Sequence, residues 1–116
     1  MSPRRHKRGQ GSLTRSAPVF AALGDETRLA LLTELGGGRR LSIARLTEGS
    51  TLTRQAITKH LRVLREAGLV RGVRRGRESR FQLTPRPLDA ARRSLERISH
   101  QWDGALARLK SHVEAT

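Results

Sequence analysis

The chain is 116 residues long, and its 24 lysines and arginines outnumber its 10 aspartates and glutamates, for a formal net charge of +14. This length allows one domain with a modest core, and so large a basic excess favours a polyanionic partner over acidic substrates. The chain has no cysteine, which excludes disulfides, thiolate metal sites and cysteine nucleophiles and fits the cytoplasmic localisation that we expect.

The positive charge is concentrated in two segments. Residues 1–16 carry +5 and residues 53–84 carry +7, whereas residues 17–52 are neutral and residues 85–116 carry +2. The first segment has no apolar run, so it is not a secretory signal, and its composition predicts a disordered basic arm. Such an arm either contacts phosphates or only keeps the protein soluble. No apolar run in the chain is long enough to span or anchor in a membrane, so we expect no membrane partner.

Capping residues and apolar spacing predict three short helices in the first half of the chain. Pro18 suits the first turn of a helix that Gly24 ends. Asp25 caps a second helix, which ends at the glycines of residues 36–38, and Ser42 caps a third. The residues expected to face the core are Leu29, Leu32, Leu35, Ile43 and Leu46.

A fourth, basic helix follows the turn at residues 49–51. Thr53 can cap its first turn and Gly68 can end it in a left-handed conformation. Its apolar stripe consists of Ile57, Leu61 and Leu64. The other face is rich in hydrogen-bond donors and consists of Arg54, Gln55, Thr58, Lys59 and Arg62.

A short helix, a tight turn and a basic amphipathic helix follow in the order of a helix-turn-helix. In that arrangement the basic helix is the recognition helix, and the amide of Gln55 can pair with an adenine edge in the major groove. The alternative is an ordinary solvated helix face. His60 either touches DNA or packs beside the apolar stripe.

Alternating apolar and polar residues then predict two strands, residues 69–75 and 79–84, joined by a turn. Because a two-stranded hairpin is marginal alone, we expect it to pack on the helices and leave its tip free as a wing. The arginines at the tip and outer face are Arg74, Arg75, Arg77 and Arg80. Their number beside a basic helix favours contact with phosphates or a minor groove over the alternative, protection of strand edges.

Pro85 and Pro87 are expected to end the hairpin, and a last helix is predicted from Leu88 to Val113. Its apolar residues recur in steps of three and four, close to a heptad repeat. A helix of about 26 residues is ~39 Å long, too long for so small a domain to cover. It either packs across the core of its own chain or, as we favour, pairs with the same helix of a second copy. The expected seam on this helix is Leu95, Ile98, Trp102, Ala105 and Leu109.

Three stretches together resemble the ArsR-type family of winged-helix bacterial transcription repressors. They are ALGDETRLALL at 22–32, ITKHLRVLREAGLV at 57–70 and RRGRE at 74–78. The resemblance implies a mainly α (α+β) fold: a winged helix-turn-helix with a two-stranded wing and a long C-terminal dimerisation helix. The domains would be a basic arm at 1–16, a DNA-binding domain at 17–84 and a dimerisation helix at 85–116.

The resemblance also implies a cytoplasmic homodimer, formed by the first and last helices, that sits on a promoter and blocks transcription. Phe20 of the first helix would then join the dimer interface, and Arg75 and Arg77 would lie at the wing. The residues placed in the major groove would be Thr53, Arg54, Gln55, Thr58, Lys59 and His60.

The chain departs from the metal-sensing members of that family, which use cysteines or an Asp, His, His and Glu set on the last helix. Here His100 and His112 are twelve residues apart, and Ile98 and Ala115 stand where the first and last acids should be. We therefore expect no metal site and no cofactor. We also expect no enzymatic activity, because the glycines at 36–38 precede two arginines and lack the lysine of a phosphate-binding loop.

These observations predict a sequence-specific, DNA-binding transcriptional regulator, a dimeric repressor that binds an inverted repeat through the major groove. The alternative is a non-specific basic protein that coats the nucleoid or RNA. Against base stacking, the only aromatic residues are Phe20, Phe81 and Trp102, and Phe81 is expected in the core. A winged helix used for protein contacts is a third possibility, which the +7 of residues 53–84 disfavours. The operator, the regulated genes and any effector leave no pattern in the sequence.

Overall fold

The computed structural model describes the backbone of residues 4–115 and the side chains of residues 14–115. Residues 1–3 and the side chains of 4–13, which belong to the predicted arm, lie outside the described residues. Within the described chain, five α-helices and three strands follow in this order: α1 (Arg4–Leu23), α2 (Glu26–Glu34), β1 (Arg40–Ser42), α3 (Ile43–Thr47), α4 (Arg54–Glu66), β2 (Val70–Arg75), β3 (Glu78–Leu83) and α5 (Pro85–Glu114). This arrangement confirms the predicted winged helix-turn-helix with a long C-terminal helix.

The starts of α2, α3 and α4 lie where capping residues predicted them. The side-chain oxygens of Asp25, Ser42 and Thr53 accept hydrogen bonds from the backbone N–H three residues later, at 3.0, 3.1 and 3.1 Å. Each bond satisfies an N–H group that has no partner within its helix. The local sequence therefore decides where these three helices begin.

Helix α1 is longer than predicted. Residues 1–16 were expected to form a disordered arm before a helix starting near Pro18, but the backbone is helical from Arg4 and Pro18 lies inside the helix. Pro18 is exposed, whereas Val19 is buried in the core. The part of α1 around Val19 packs on the core and so provides a helical turn from which the helix can propagate. Arginine, lysine and glutamine favour helix, and the residues of these types before Pro18 can therefore extend α1 toward the N-terminus.

The buried stripe of α2 differs from the predicted one. Leu32 and Leu35 are buried as expected, but Leu31 joins them and Leu29 is 48% exposed. At about 100° per residue, the three buried leucines fall within an arc roughly 100° wide, and Leu29 lies about 60° beyond its edge. Leucine spacing therefore predicted the buried face of α2 only in part. The sequence contains two overlapping leucine stripes, and spacing alone does not decide which of them packs on the core.

The sheet has three antiparallel strands in the order β1-β3-β2, where only β2 and β3 were predicted. β1 has three residues, too few for an alternating pattern, and it pairs along the outer edge of β3 with Leu41 opposite Phe81. Both of these side chains face the core, where Phe81 is buried. The β2–β3 hairpin remains the wing. Gly76 begins its two-residue turn with a φ of +63°, which glycine adopts without strain.

Helix α5 begins at Pro85, three residues earlier than predicted. Pro85 and Pro87 were expected to separate the hairpin from the helix, but Pro85 occupies the first helical turn. A proline is tolerated there because the first N–H groups of a helix have no partner within it. Early in α5, Ala91 and Ser94 are buried on the side that contacts α1. Small side chains at these positions let the two helices approach closely.

We expect Leu35→Ala to lower the free energy of unfolding by about 2–5 kcal/mol, because it leaves a cavity in the packed core. Leu29→Ala removes the same atoms from an exposed position of α2, whose C-cap residue is Leu35, and its effect should stay within about 0.5 kcal/mol. Urea unfolding of both variants at one protein concentration measures the difference. Equal losses of stability would contradict the assignment of the buried face of α2.

Candidate nucleic-acid interface

Helix α4 separates an apolar face from a basic one. Ile57, Leu61 and Leu64 are buried in the core, and the polar residues are therefore turned away from it. Those on the far side line one shallow concave surface on the exterior of the protein: Arg54, Gln55, Thr58, Lys59 and Arg62. Among the described side chains, no carboxylate forms an ion pair with Arg54, Lys59 or Arg62. We call this surface the α4 face.

Two hydroxyl groups of the predicted site are already hydrogen-bonded to the helix backbone. Thr58 Oγ1 donates to the Arg54 carbonyl oxygen at 2.7 Å, and Thr53 Oγ1 accepts from the Ala56 N–H at 3.1 Å. The Thr58 oxygen can still accept a hydrogen bond, and the Thr53 hydroxyl can still donate one. Both groups are therefore held in place while keeping one hydrogen-bonding function for a ligand.

His60 lies apart from the α4 face, at the junction of α4 with α1 and α2. Its Nδ1 is 3.3 Å from Arg28 Nη1 and 3.8 Å from Asp25 Oδ2. Arg28 in turn donates from Nε to the Ala22 carbonyl oxygen at 2.7 Å. Of the two readings that the sequence left open for His60, packing beside the apolar stripe is the one that the structure shows. Contact of His60 with DNA, the other reading, stays a prediction.

The same junction holds Asp25 in its ionised form. The backbone N–H of Arg28 donates to its carboxylate and lowers the pKa of Asp25, and the nearby Arg28 guanidinium and His60 act in the same direction. For an acid with a lowered pKa, the stabilisation is complete above the unfolded value and is lost as the pH falls through the folded one. The cap of α2 therefore persists throughout the neutral range.

The wing arginines fall into two groups. Arg74, Arg75 and Arg77 are exposed at the tip of the hairpin. Arg80 is half-buried farther along β3, and its Nη2 lies 3.1 Å from Glu78 Oε2. The tip arginines therefore form a compact basic projection, which we call the wing tip, whereas Arg80 belongs to the base of the wing.

The predicted dimer residues also divide into two groups. Leu95, Trp102 and Leu109 are 51%, 64% and 59% exposed, while Ile98 and Ala105 are half-buried. The half-buried pair lies at helical spacing from Ala91 and Ser94, on the α1 side of α5. Leu106 and Val113, which were not in the predicted seam, continue the exposed row. Leu106 follows Trp102 by four residues and Val113 follows Leu109 by four, a helical spacing that was available in the sequence.

Phe20 belongs to an apolar groove of about 420 Å³ between α1 and α5. Leu23, Leu88 and Leu95 also line this groove, and Leu95 is shared with the exposed row of α5. The groove and the row therefore form one continuous apolar surface.

Within the part of the chain that the structure describes, no three His, Asp or Glu side chains come close enough together to hold a metal ion. No described helix is long and apolar enough to cross a membrane.

Comparison with known proteins adds independent evidence. Residues 23–73 match a family model described as a helix-turn-helix domain. An uncharacterized HTH-type transcriptional regulator of Bacillus subtilis, YuzN, is 45% identical over 65 residues, which cover 51% of this chain and 71% of the relative. The HTH-type transcriptional regulator Rv2034 of Mycobacterium tuberculosis is 36% identical over 88 residues, or 76% of this chain and 78% of the relative.

Among solved structures, an ArsR-like transcriptional regulator from Rhodococcus sp. RHA1 superposes with a TM-score of 0.75 at 44% sequence identity. The superposition covers 87% of this chain and 94% of that one. Only 13% of this chain therefore lies outside the superposition. With this agreement in sequence and fold, the chain belongs to the ArsR-type family of winged-helix transcriptional regulators.

Proposed function

We propose that this protein is a dimeric repressor that binds an inverted repeat in promoter DNA. Regulation of transcription through a DNA-binding helix-turn-helix follows from the family. The finer proposal is carried chiefly by the α4 face, where three cations and two further polar residues lie together and have no carboxylate partner among the side chains that the structure describes. We propose no catalytic step, and we place the protein in the cytoplasm, where the chromosome is accessible to it.

In this proposal the α4 face enters the major groove and the wing tip contacts the backbone or a minor groove. Gln55 supplies base recognition, because an amide can donate to and accept from one adenine. The arginines and the lysine contribute mainly through phosphates, which position a protein on DNA but carry no sequence information themselves. Affinity and specificity are thus assigned to different residues of one surface.

The continuous apolar surface of α1 and α5 supports pairing with a second copy. Exposed side chains such as Trp102 and Leu109 stabilise the protein only when a partner covers them, at ~25 cal/mol per Å². A two-fold axis through this surface would give each dimer two α4 faces. Dimers of this class place their recognition elements one DNA turn apart, about 34 Å, which matches an inverted repeat.

A non-specific coating protein is the second candidate, and the overall charge of +14 favours it equally well. Selection of bound genomic fragments distinguishes the two. A repressor should enrich a few fragments that share one inverted repeat, while a coating protein should recover fragments without a common sequence.

Prediction for DNA binding: affinity should fall steeply with salt, because each neutralised phosphate contributes about −0.9 to the slope of log K against log salt. Arg77→Ala should weaken binding to selected and random duplexes alike and make this slope shallower. Gln55→Ala should instead lower discrimination at one base pair, by ~1–3 kcal/mol for a bidentate contact. Fluorescence anisotropy over a salt series measures both effects.

Arg86→Ala is the matched control for charge, because Arg86 is exposed at the start of α5 and has no ion pair among the described side chains. It should keep the parent slope. If Arg77→Ala and Gln55→Ala both bound selected and random duplexes as the parent does, the assignment of the α4 face and the wing tip would be wrong.

Prediction for assembly: Trp102→Glu combined with Leu109→Glu should convert the dimer to a monomer and abolish binding to the complete repeat. His100→Glu places one such carboxylate on an exposed position across the helix and should leave the dimer intact. Sedimentation velocity gives the oligomeric state, and circular dichroism shows whether each variant is folded. A parent that is monomeric at micromolar concentration while protecting a single half-site would refute the dimer.

A further inference from the structure

A basic pocket that neither the α4 face nor the wing tip includes lies where β1 leads into α3. Its lining consists of Arg40, Leu41, Ser42, Arg45, Glu78 and Arg80. Three guanidinium groups against one carboxylate give this lining a net charge of +2. Sequence reasoning missed the pocket, because its arginines come from a strand of three residues, a short helix and the base of the wing.

The strand pairing explains why these side chains meet. In the register of β1 with β3, Ser42 lies opposite Arg80, and Arg40 lies two residues away on the same outer face of the sheet. Helix α3 begins directly after Ser42, so its first turn brings Arg45 to the same corner. The pocket is thus built by the unpredicted strand β1.

The positive charge of the pocket is only partly compensated. Arg80 Nη2 lies 3.1 Å from Glu78 Oε2, and Arg45 Nη1 lies 3.4 Å from Glu48 Oε2. The side chains of Arg45 and Glu48 are both largely exposed. An ion pair between such exposed side chains contributes little to stability. Arg40 is exposed and has no ion pair among the described side chains. A tetrahedral anion would complete the site, since guanidinium groups bind phosphate oxygens through two parallel hydrogen bonds.

The position of the pocket indicates the source of the anion that could reach it. α3 is the first helix of the helix-turn-helix, and β3 begins at Glu78, directly after the turn that carries the wing tip. The pocket therefore joins the two elements that the proposed function places on DNA. Its lining has no aromatic side chain on which a base could stack.

We propose that this pocket binds a phosphate of the DNA backbone, and that Arg40 is its principal ligand. The proposal rests on the proposed function and extends it by a third contact region, formed by β1, the start of α3 and the base of the wing. A phosphate held there would fix the angle of the helix-turn-helix on the duplex without contributing to base recognition.

The test compares Arg40→Gln with Arg39→Gln. Both remove one charge at neighbouring exposed positions, so long-range electrostatic effects are closely matched, but Arg39 does not line the pocket. Arg40→Gln should weaken binding to selected and random duplexes by the same factor and make the salt slope shallower by about 0.9, the loss of one phosphate. Arg39→Gln should keep the parent slope.

Ethylation interference identifies the phosphate itself. Ethylation of one backbone position should weaken the parent and Arg39→Gln but have no effect on Arg40→Gln. Arg77→Gln should lose sensitivity at a different position, because it belongs to the wing tip. Thermal unfolding of each variant verifies that the fold is intact.

The proposal is overturned if Arg40→Gln keeps both the salt slope and the interference pattern of the parent while Arg77→Gln changes them. That result would leave the proposed function standing. A parent that binds no duplex at any salt concentration would overturn both proposals together, so the two failures are distinguishable.

Discussion

Burial of the apolar stripe of α4 is the constraint on which the rest of the structure depends. Ile57, Leu61 and Leu64 are inserted among α2, α3 and the sheet. Because a helix has a fixed angular period, this burial turns the donor-rich side of the same helix outward. The core and the α4 face are therefore two consequences of one amphipathic pattern, and a change that rotated α4 would disturb both.

The hydrogen-bonded junction at His60 connects this helix to the remainder of the fold. Arg28 reaches from α2 to the carbonyl oxygens of Ala21 and Ala22 near the end of α1 and also contacts His60 on α4. α1 in turn packs on α5, whose exposed apolar row supports the proposed dimer. The orientation of α4 is therefore coupled, in part through Arg28, to the helices that would hold two copies together in the proposed dimer.

Helix α5 has a buried side and an exposed apolar side. Its small buried residues, Ala91 and Ser94, allow close contact with α1, while the larger apolar residues from Leu95 onward are exposed. A helix of 30 residues has room both for contact with α1 and for the proposed pairing with a second copy. The proposed pairing would use the larger side chains.

Local sequence determined the helix starts at Asp25, Ser42 and Thr53, the amphipathic α4 and the wing hairpin, because capping, periodicity and turn residues act within a few positions of the chain. Only the tertiary structure decided the rest. The strand β1 exists because β3 offers it a free edge, the buried side of α2 was chosen by packing, and His60 was turned toward Arg28. Contacts between residues distant in sequence produce no periodic pattern in the sequence. For that reason the pocket around Arg40 is visible only in the folded protein.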